Sequence, residues 1–399
     1  MRKTIHILFL AAFLAVLAAM PVLTLLMPPE TVSPYEFRAL QPMPDFSAEA
    51  LRSGAYFAQW EGFYTDHLFA RDGIIRAHVL LEQSLLRRRV INDVFAADGH
   101  VLPVIPFEPP IEDIPGQAKQ AAERVARVSE AVASYGGAFL FVGLPSQTTA
   151  FLELYPDGVF GNAPNQTRIN PAFFAALDEL GVPCADMASA FAEDGAPSAA
   201  AYRPYYLRAD HHLTLSGALR MAEAIAGALE EAYGIRLNAP SADDLVISAL
   251  PNEVLGSRGR RLFGLSPVED RLEVFEFRRP VPFRRADNGA VSESAVLKLP
   301  RTPEEFTSYS VYMGGDVAET VIQTDRAGLP RALIYGDSHT NILEALLYPC
   351  FDEQRSLDLR HYTETGILSY IERHRPDIVI LVRDDRSYLG EDGNGKVEP

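Results

Sequence analysis

The chain has 399 residues, with 53 acidic residues against 36 basic ones, so its formal net charge at pH 7 is −17. A protein that binds nucleic acid needs a basic surface to neutralise the phosphate backbone, so this balance argues against nucleic acid as a partner. The two cysteines, Cys184 and Cys350, lack the spacing of a metal site. A disulfide between them and two separate buried thiols both stay open, since sequence does not give their separation.

The first predicted element is an apolar segment at the N-terminus. Arg2 and Lys3 precede an apolar run from Ile5 to Met27, and about 20 such residues suffice to cross a bilayer. Ala18-Ala19-Met20 is a weak cleavage site, but the apolar run continues past it, so we expect an uncleaved signal anchor over residues 1–30. The basic residues favour a cytoplasmic N-terminus. We therefore predict a single-pass plasma-membrane protein whose main part is extracytoplasmic, or a secreted or periplasmic protein if the signal is cleaved.

Residues 31–100 are predicted to form a linker followed by an N-terminal helical segment. Thr31 to Phe46 is polar and rich in proline, and Ala55 to Arg89 has a helical pattern. Residues 90–105 have the composition of short strands. Arg71 is a candidate for lining a substrate site, although an ion pair with a neighbouring aspartate is the simpler interpretation.

Apolar strands alternate with helices through residues 101–237 and again through residues 326–399. The predicted strands are Ala138–Gly143, Val182–Ala185, Ala332–Tyr335, Ser356–Leu359 and Ile378–Val382. The predicted helices are Gln117–Ser134, Phe173–Leu180, a helix capped by Thr214 or Ser216 and ending near Tyr233, Ile342–Tyr348 and Thr363–Arg373. This alternation is typical of an α/β core with a parallel sheet covered on both faces. Ligands of such sheets bind at the carboxyl ends of the strands.

The pattern changes between residues 238 and 325. Polar and apolar residues alternate over Arg271–Phe277, Ser292–Leu299 and Ser308–Met313, with proline, glycine and charged turns between them. Alternation with period two is typical of half-buried strands. We therefore predict a β-rich insertion over 238–325, packed beside the α/β core.

The tripeptide Gly336-Asp337-Ser338 stands between a predicted strand and a predicted helix. A serine at such a turn lies at the carboxyl edge of the sheet, next to the free N–H groups of a helix N-terminus that can hold an oxyanion. Upstream, Asp210 and His212 are two residues apart, and side chains at that spacing share one side of an extended segment. Asp210 could then orient His212 while His212 faces Ser338. These residues predict a Ser-His-Asp triad and serine-based acyl chemistry.

Further polar residues near these segments are candidates for contacts with substrate. Asn341, about one helical turn after the serine, and Arg360 could add donors to the oxyanion. His339 follows the nucleophile, where it could border the entrance or lie on the surface. A metal interpretation of Asp210-His211-His212 is disfavoured, because zinc and manganese sites need at least three protein ligands and consecutive residues do not easily converge. We expect neither a metal nor another cofactor.

Five segments together resemble a known family. They are Asp66-His67-Leu68-Phe69-Ala70-Arg71-Asp72, Asp210-His211-His212-Leu213-Thr214, Tyr312-Met313-Gly314-Gly315, Ile334-Tyr335-Gly336-Asp337-Ser338-His339 and Leu357-Asp358-Leu359-Arg360-His361-Tyr362. Their sequences resemble those of the DHHW proteins, which are similar to the SGNH-hydrolase-like O-acetyltransferases that act on alginate and other exopolysaccharides. Leu213 stands where the family name has Trp, and Asp316 follows the paired glycines where the family pattern has Asn.

The resemblance implies an SGNH-hydrolase-like, three-layer α/β fold and an enzymatic activity. That activity is acetyl transfer to an extracellular or cell-wall polysaccharide through an acetyl-serine intermediate on Ser338. The implied partners are a polysaccharide acceptor, an acetyl donor that a membrane acyltransferase partner could supply, and the membrane itself through the N-terminal anchor. Two alternatives stay open. The chain could be a carbohydrate acetylesterase, or a non-catalytic protein that binds polysaccharide or scaffolds an export complex.

Overall fold

The computed structural model describes residues 2–105, 109–156, 165–192 and 195–397. Residue 1 of the predicted anchor, and residues 106–108, 157–164, 193–194 and 398–399 of the predicted core, lie outside the described residues. The chain divides into two compact units. The first consists of Met1–Asp93 with Gly259–Ser266, and the second of Val94–Arg258 with Pro267–Pro399.

The first unit is mainly helical. Its helices and strand are α1 (Arg2–Leu26), α2 (Ala48–Ser53), α3 (Ala55–His67), α4 (Arg71–Leu80) and β1 (Val90–Ile91). Within α1, the segment Lys3–Leu26 is long and apolar enough to cross a membrane, and it is almost wholly exposed. This helix is compatible with a signal anchor.

The single helical segment predicted over Ala55–Arg89 is wrong in one respect, because the chain leaves the helix between α3 and α4. Ala70 has a left-handed φ of 57°. The N–H of Phe69 donates to the Thr24 hydroxyl (3.0 Å) rather than to a carbonyl of α3. The apolar pattern continues across the break, which is why periodicity alone does not reveal it.

The second unit contains the other helices and strands. The helices are α5 (Ile114–Ala133), α6 (Gln147–Ala150), α7 (Gln166–Glu179), α8 (Met187–Ala192), α9 (Ala199–Tyr202), α10 (Leu215–Tyr233), α11 (Thr340–Leu347) and α12 (Ile367–His374). The strands are β2 (Val94–Ala97), β3 (His100–Pro103), β4 (Ala138–Leu144), β5 (Cys184–Asp186), β6 (Leu245–Ala249), β7 (Glu273–Phe277), β8 (Arg284–Asp287), β9 (Ala290–Ser292), β10 (Glu319–Gln323), β11 (Arg331–Gly336), β12 (Glu353–Leu357) and β13 (Ile378–Asp384). Every helix and strand predicted for the α/β core is present, although α12 begins later than predicted and α7 earlier.

The main sheet has eight strands in the order β5-β4-β13-β11-β12-β10-β8-β9. The first five run parallel, as predicted. β10, β8 and β9 continue the sheet with antiparallel pairing. The sheet is therefore mixed, and part of the region predicted as an insertion beside the core completes the core sheet.

Helices cover both faces of the parallel part of the sheet. Leu140, Ile380 and Ile334 are paired neighbours on adjacent strands. They pack in one apolar cluster with residues of α8, α10 and α11. Phe141, Leu381 and Tyr335 belong to the cluster on the opposite face, with residues of α5, α7 and α12. The strands β4 and β13 are buried along their whole length, as continuous apolar runs in a doubly covered sheet require. The fold is thus a three-layer α/β sandwich.

Two of the three strands predicted between residues 238 and 325 are wrong. Glu273–Phe277 does form β7, which pairs with β6. The segment predicted as the strand 292–299 contributes only its first residue to β9 and an isolated bridge at Leu297. In the segment 308–313, Ser308 accepts a hydrogen bond from the N–H of Ser310 and caps a 3₁₀ turn over Tyr309–Val311. The side-chain hydroxyl competes with strand pairing there, which the alternation of residues does not show.

Candidate active site

Ser338 lies in the turn between β11 and α11. The strand ends at Gly336, where no side chain fits, because a Cβ would lie 2.6 Å from the carbonyl oxygen of Val382 on β13. Asp337 braces the turn, since its Oδ1 accepts a hydrogen bond from the N–H of His339 (3.0 Å). The close approach of two parallel strands therefore places Ser338 at the carboxyl edge of the sheet, just before the first turn of α11.

The loop that carries Asp210 is fixed by two neighbouring segments. Asp270 accepts hydrogen bonds from the N–H groups of Arg208 and Ala209, at 2.7 and 2.6 Å. Gly256 allows the second segment to come close, because a Cβ at this position would lie 2.5 Å from Ala209 O and 2.6 Å from Asp210 Cβ. These contacts hold the backbone on both sides of the loop before α10 begins.

His212 connects Asp210 to Ser338. Its Nε2 lies 2.8 Å from Ser338 Oγ, and its Nδ1 lies 2.5 Å from Asp210 Oδ1. The other carboxylate oxygen of Asp210 accepts a hydrogen bond from the N–H of Ser257 (2.6 Å). Asp210 and His212 are buried, with 3% and 7% of their surface exposed. The structure therefore brings the three predicted residues together in one hydrogen-bonded chain.

The charge state of Asp210 follows from its surroundings. Burial alone raises the pKa of this carboxyl, but the charge of His212 and its hydrogen bond act the other way, as does the Ser257 N–H, and together they hold the pKa well below its usual range. Asp210 is thus an anion at neutral pH. An anion beside Nδ1 favours the tautomer that leaves Nε2 free to accept a proton from Ser338.

Three further rings surround His212. The ring of Tyr309 is parallel to it, with centroids 3.9 Å apart and an interplanar angle of 3°, and His339 meets it edge-on at 5.2 Å. His211 lies 3.8 Å from it, and its Nδ1 is 2.6 Å from Ser257 Oγ. Burial lowers the pKa of both His211 and His339, and the nearby His212 adds to the effect. Both flanking histidines are therefore neutral at pH 7.

His339 is not a surface residue, since only 2% of it is exposed. Its Nε2 lies 3.9 Å from Asp384 Oδ2, at the end of β13. Asp384 is itself paired with Arg386, at 2.8 Å. His339 therefore links the serine turn to the edge of the neighbouring strand, and it packs against the His212 ring rather than bordering an entrance.

The two predicted oxyanion donors, Asn341 and Arg360, are both bound to Asp316. Asn341 Nδ2 donates to Asp316 Oδ1 (3.1 Å), and Arg360 donates to Asp316 Oδ2 (2.9 Å) and to Asp358 (2.6 Å). The charge of Arg360 is already balanced by two carboxylates. The amide of Asn341 keeps a second hydrogen, because a side-chain NH₂ group carries two donors.

Arg71 belongs to the first unit. It forms ion pairs of 3.0 Å with Glu36 and with Asp72. Asp66 instead accepts two hydrogen bonds from Arg38. The ion pair with a neighbouring aspartate, expected as the simpler interpretation, is therefore present at Arg71. It satisfies the charge of this side chain within the helical unit.

Among the described residues, two groups of side chains have the spacing of a metal site. Asp210, His211 and His212 place ligand atoms within 4.8 Å of one another, as do Asp316, Asp358 and His361. In the first group the two ring nitrogens of His212 face Asp210 and Ser338. In the second group the Arg360 guanidinium already lies against both carboxylates. The His212 nitrogens of the first group and the two carboxylates of the second are engaged within the protein, and the first group fits proton transfer better than metal coordination.

Sequence reasoning missed Ser257, Asp270 and Tyr309. Ser257 and Asp270 act from loops remote in sequence from Asp210, and no local spacing connects them. Tyr309 fell inside a segment predicted as a strand. The only available signal was its place three residues before Tyr312-Met313-Gly314-Gly315, one of the segments that resemble the family.

A three-layer α/β sandwich with a serine, a histidine and an aspartate at the carboxyl edge of its sheet defines the class of SGNH hydrolase-like domains. Residues 112–272 match the family model described as "SGNH hydrolase-like domain, acetyltransferase AlgX". No curated protein matches this sequence. Over residues 112–272 the chain is similar to SGNH hydrolase-like domains, which confirms the resemblance and the fold expected from the sequence.

Several solved structures share this fold. PatB1 from Bacillus cereus, solved with a sulfonyl adduct, aligns with a TM-score of 0.63 and 20% identity over 77% of this chain and 98% of its own. A DHHW family protein from Eubacterium siraeum DSM 15702 aligns with a TM-score of 0.57 and 18% identity over 75% of this chain and 93% of its own. Both alignments cover nearly the whole of the compared chain, so the similarity is to a complete fold.

Proposed function

We propose that the protein is an O-acetyltransferase that acts on an extracellular or cell-wall polysaccharide through Ser338, His212 and Asp210. The observation that carries the proposal is the hydrogen-bonded chain from Asp210 through His212 to Ser338, at the sheet edge where ligands of α/β folds bind. The acetyl group is supported by the family model, whose description names an acetyltransferase.

In the first half of the reaction, Ser338 Oγ attacks the carbonyl carbon of the acetyl donor while His212 Nε2 takes the hydroxyl proton. Asp210 orients the ring and stabilises the imidazolium that forms. The N–H of Ser338, beside the start of α11, is placed to donate to the oxyanion. The bond to the leaving group then breaks, His212 returns the proton to that group, and acetyl-Ser338 remains.

In the second half, a sugar hydroxyl attacks acetyl-Ser338 and gives its proton to His212. Collapse of this intermediate releases the O-acetylated sugar, and the proton returns from His212 to Ser338 Oγ. Water at the same position would instead release acetate. Exclusion of water from the site therefore separates a transferase from an esterase.

We infer that α1 is a retained signal anchor and that the catalytic unit lies outside the cytoplasm. Thr24, near the end of α1, is only 2% exposed, and its hydroxyl accepts the hydrogen bond from Phe69 N–H. A buried polar contact ties this helix to the loop between α3 and α4, which supports its retention in the mature protein. An anchored domain would meet its polysaccharide acceptor outside the cell, and a membrane acyltransferase partner could supply the acetyl donor.

The test is acetyl transfer from a chromogenic acetyl ester to a panel of oligosaccharides, read by mass spectrometry with the purified full chain in detergent. Wild type should transfer acetyl groups, and Ser338→Ala and His212→Ala should not. Ser294→Ala is the matched control, because Ser294 is an exposed serine outside the site. Release of acetate without transfer would favour an acetylesterase. Folded wild type with neither activity would favour a polysaccharide-binding or scaffold protein.

PatB1, solved with a sulfonyl adduct, suggests a second probe. A sulfonyl fluoride reacts with a serine oxygen that a base has activated, and fluoride leaves as the sulfonate ester forms. We expect Ser338 to be the residue that reacts in this chain. This reaction needs neither the acceptor nor the natural donor, so it tests the nucleophile separately from the substrate.

A further inference from the structure

We propose that Tyr309 is a positioning residue whose ring face fixes the plane of His212 and stabilises its protonated form. The inference rests on the proposed function of Ser338, His212 and Asp210. The two rings lie nearly parallel, at 3°, with centroids 3.9 Å apart. This contact covers the ring face of the residue that transfers the proton.

The hydrogen bonds of His212 leave one motion of its ring weakly restrained. Nδ1 faces Asp210 and Nε2 faces Ser338, on opposite sides of the ring. These two bonds resist displacement of the nitrogens but allow the ring to tilt about the line through Nδ1 and Nε2. The two hydrogen-bond directions lie in the ring plane and diverge from that line, so a tilt swings both of them away from their partners, and hydrogen bonds weaken steeply with misalignment. A flat aromatic ring in contact with one face of His212 prevents this tilt.

Tyr309 is itself held rigidly. It is 4% exposed and begins the 3₁₀ turn that Ser308 caps. Its ring packs edge-to-face against Tyr312, with centroids 4.9 Å apart, and the Tyr312 hydroxyl donates to the carbonyl of Glu273 on β7 (2.5 Å). The contact on His212 is therefore backed by the two-stranded sheet of β6 and β7. This gives the β-rich region a role in the catalytic unit.

The ring of Tyr309, rather than its hydroxyl, makes the contact that matters. The hydroxyl has no hydrogen-bond partner within the described part of the chain. Burial raises the pKa of Tyr309 well above 10, and Tyr312 and Asp210 add to this, so the phenol stays neutral. A neutral aromatic face attracts a cation that lies over it. Its attraction for His212 therefore increases when the ring becomes an imidazolium, as it does in each proton transfer.

Other titratable groups also face His212. Asp210 stabilises the imidazolium from Nδ1, while His211 and His339 are neutral neighbours from the same loop and from the serine turn. Arg258 acts on this cluster through His211, whose pKa its charge lowers. None of these groups changes when Tyr309 is replaced, so comparison of variants at this position isolates the effect of the ring.

The test compares Tyr309→Phe with Tyr309→Leu in the full chain. The first variant keeps the aromatic face and the second keeps only apolar bulk. We expect Tyr309→Phe to keep kcat for the chromogenic ester within about three-fold of wild type. Tyr309→Leu should lose at least about ten-fold in kcat, as loss of a desolvated cation–π contact implies. In Tyr309→Leu the acid limb of the pH profile of kcat/KM should also move to lower pH, because the imidazolium of His212 is less stabilised.

A titration of the His212 ring by NMR separates this inference from the proposed function, since it requires no turnover. The pKa of His212 should be lower in Tyr309→Leu than in Tyr309→Phe. If that holds while wild type shows no Ser338-dependent chemistry, the proposed function fails and the positioning role stands. Equal His212 titration and equal kcat in the two folded variants would overturn the positioning role. So would a loss in Tyr309→Phe as large as that in Tyr309→Leu, because the hydroxyl would then be responsible.

Discussion

Glu344 makes the stability of the serine turn depend on pH. It lies on α11, is 5% exposed, and accepts a hydrogen bond from the Thr340 hydroxyl on the preceding helical turn. Burial raises its pKa from the ordinary 4.5 to about 7, although that hydrogen bond opposes the shift. The folded protein therefore holds a proton at this site that the unfolded chain has released. Stability is greatest below pH 4.5 and falls as pH rises through 7.

The size of this effect follows from the two pKa values. A separation from 4.5 to about 7 corresponds to about 3 kcal/mol. About 2.5 kcal/mol of it is lost between about pH 5 and pH 8. Glu344→Gln keeps the shape of the side chain but removes the titration. The equilibrium constant for local opening of α11 in wild type, divided by that in Glu344→Gln, should therefore change by about 50- to 100-fold between about pH 5 and pH 8.

Hydrogen–deuterium exchange of the α11 amides measures this ratio. Intrinsic exchange rates depend on pH, but they cancel when wild type and Glu344→Gln are compared at the same pH. Glu372→Gln, an exposed glutamate on α12, is the matched control and should show a ratio that does not depend on pH. If the ratio for Glu344→Gln is also constant between pH 5 and pH 8, the carboxyl does not titrate in this range and the reasoning is refuted.

Three further predictions concern the site and the thiols. Asp210→Asn should lower kcat for acetyl transfer by about ten-thousand-fold with little change in KM, since the ring loses its orienting anion; a loss below about ten-fold would contradict this. Gly256→Ala should destabilise the second unit by about 1–3 kcal/mol in denaturant unfolding and also slow transfer, because its Cβ would meet the Asp210 loop; an unchanged midpoint would argue against that packing. Cys184 and Cys350 are both unpaired, so both should react with a thiol reagent in denaturant without reductant, and a protected pair would show a disulfide.

The α/β core could be predicted because its strands carry their signal locally. Ala138–Leu144 and Ile378–Val382 are continuous apolar runs, and a strand covered on both faces explains such runs between amphipathic helices. The antiparallel half of the sheet could not be predicted in this way. β8, β9 and β10 are short, and they join the sheet because β10 pairs with β12, a strand remote in sequence.

The candidate site shows the same division. The turn at Ser338 and the spacing of Asp210 and His212 are local features, so the sequence predicts both halves of the hydrogen-bonded chain. The residues around these hydrogen-bonded side chains come from separate parts of the sequence. Asp316 binds both Asn341 and Arg360, and this pairing depends on three separate segments meeting at one point.

The most direct test of the central claim is the reaction of the full chain with a sulfonyl fluoride, followed by intact mass and peptide mapping. We predict one adduct on wild type, located on Ser338, formed at an unchanged rate in Ser294→Ala and much more slowly in His212→Ala. Ser338→Ala should form no adduct. Labelling of Ser338→Ala at the wild-type rate, or labelling of folded wild type only at another residue, would show that Ser338 is not the activated nucleophile.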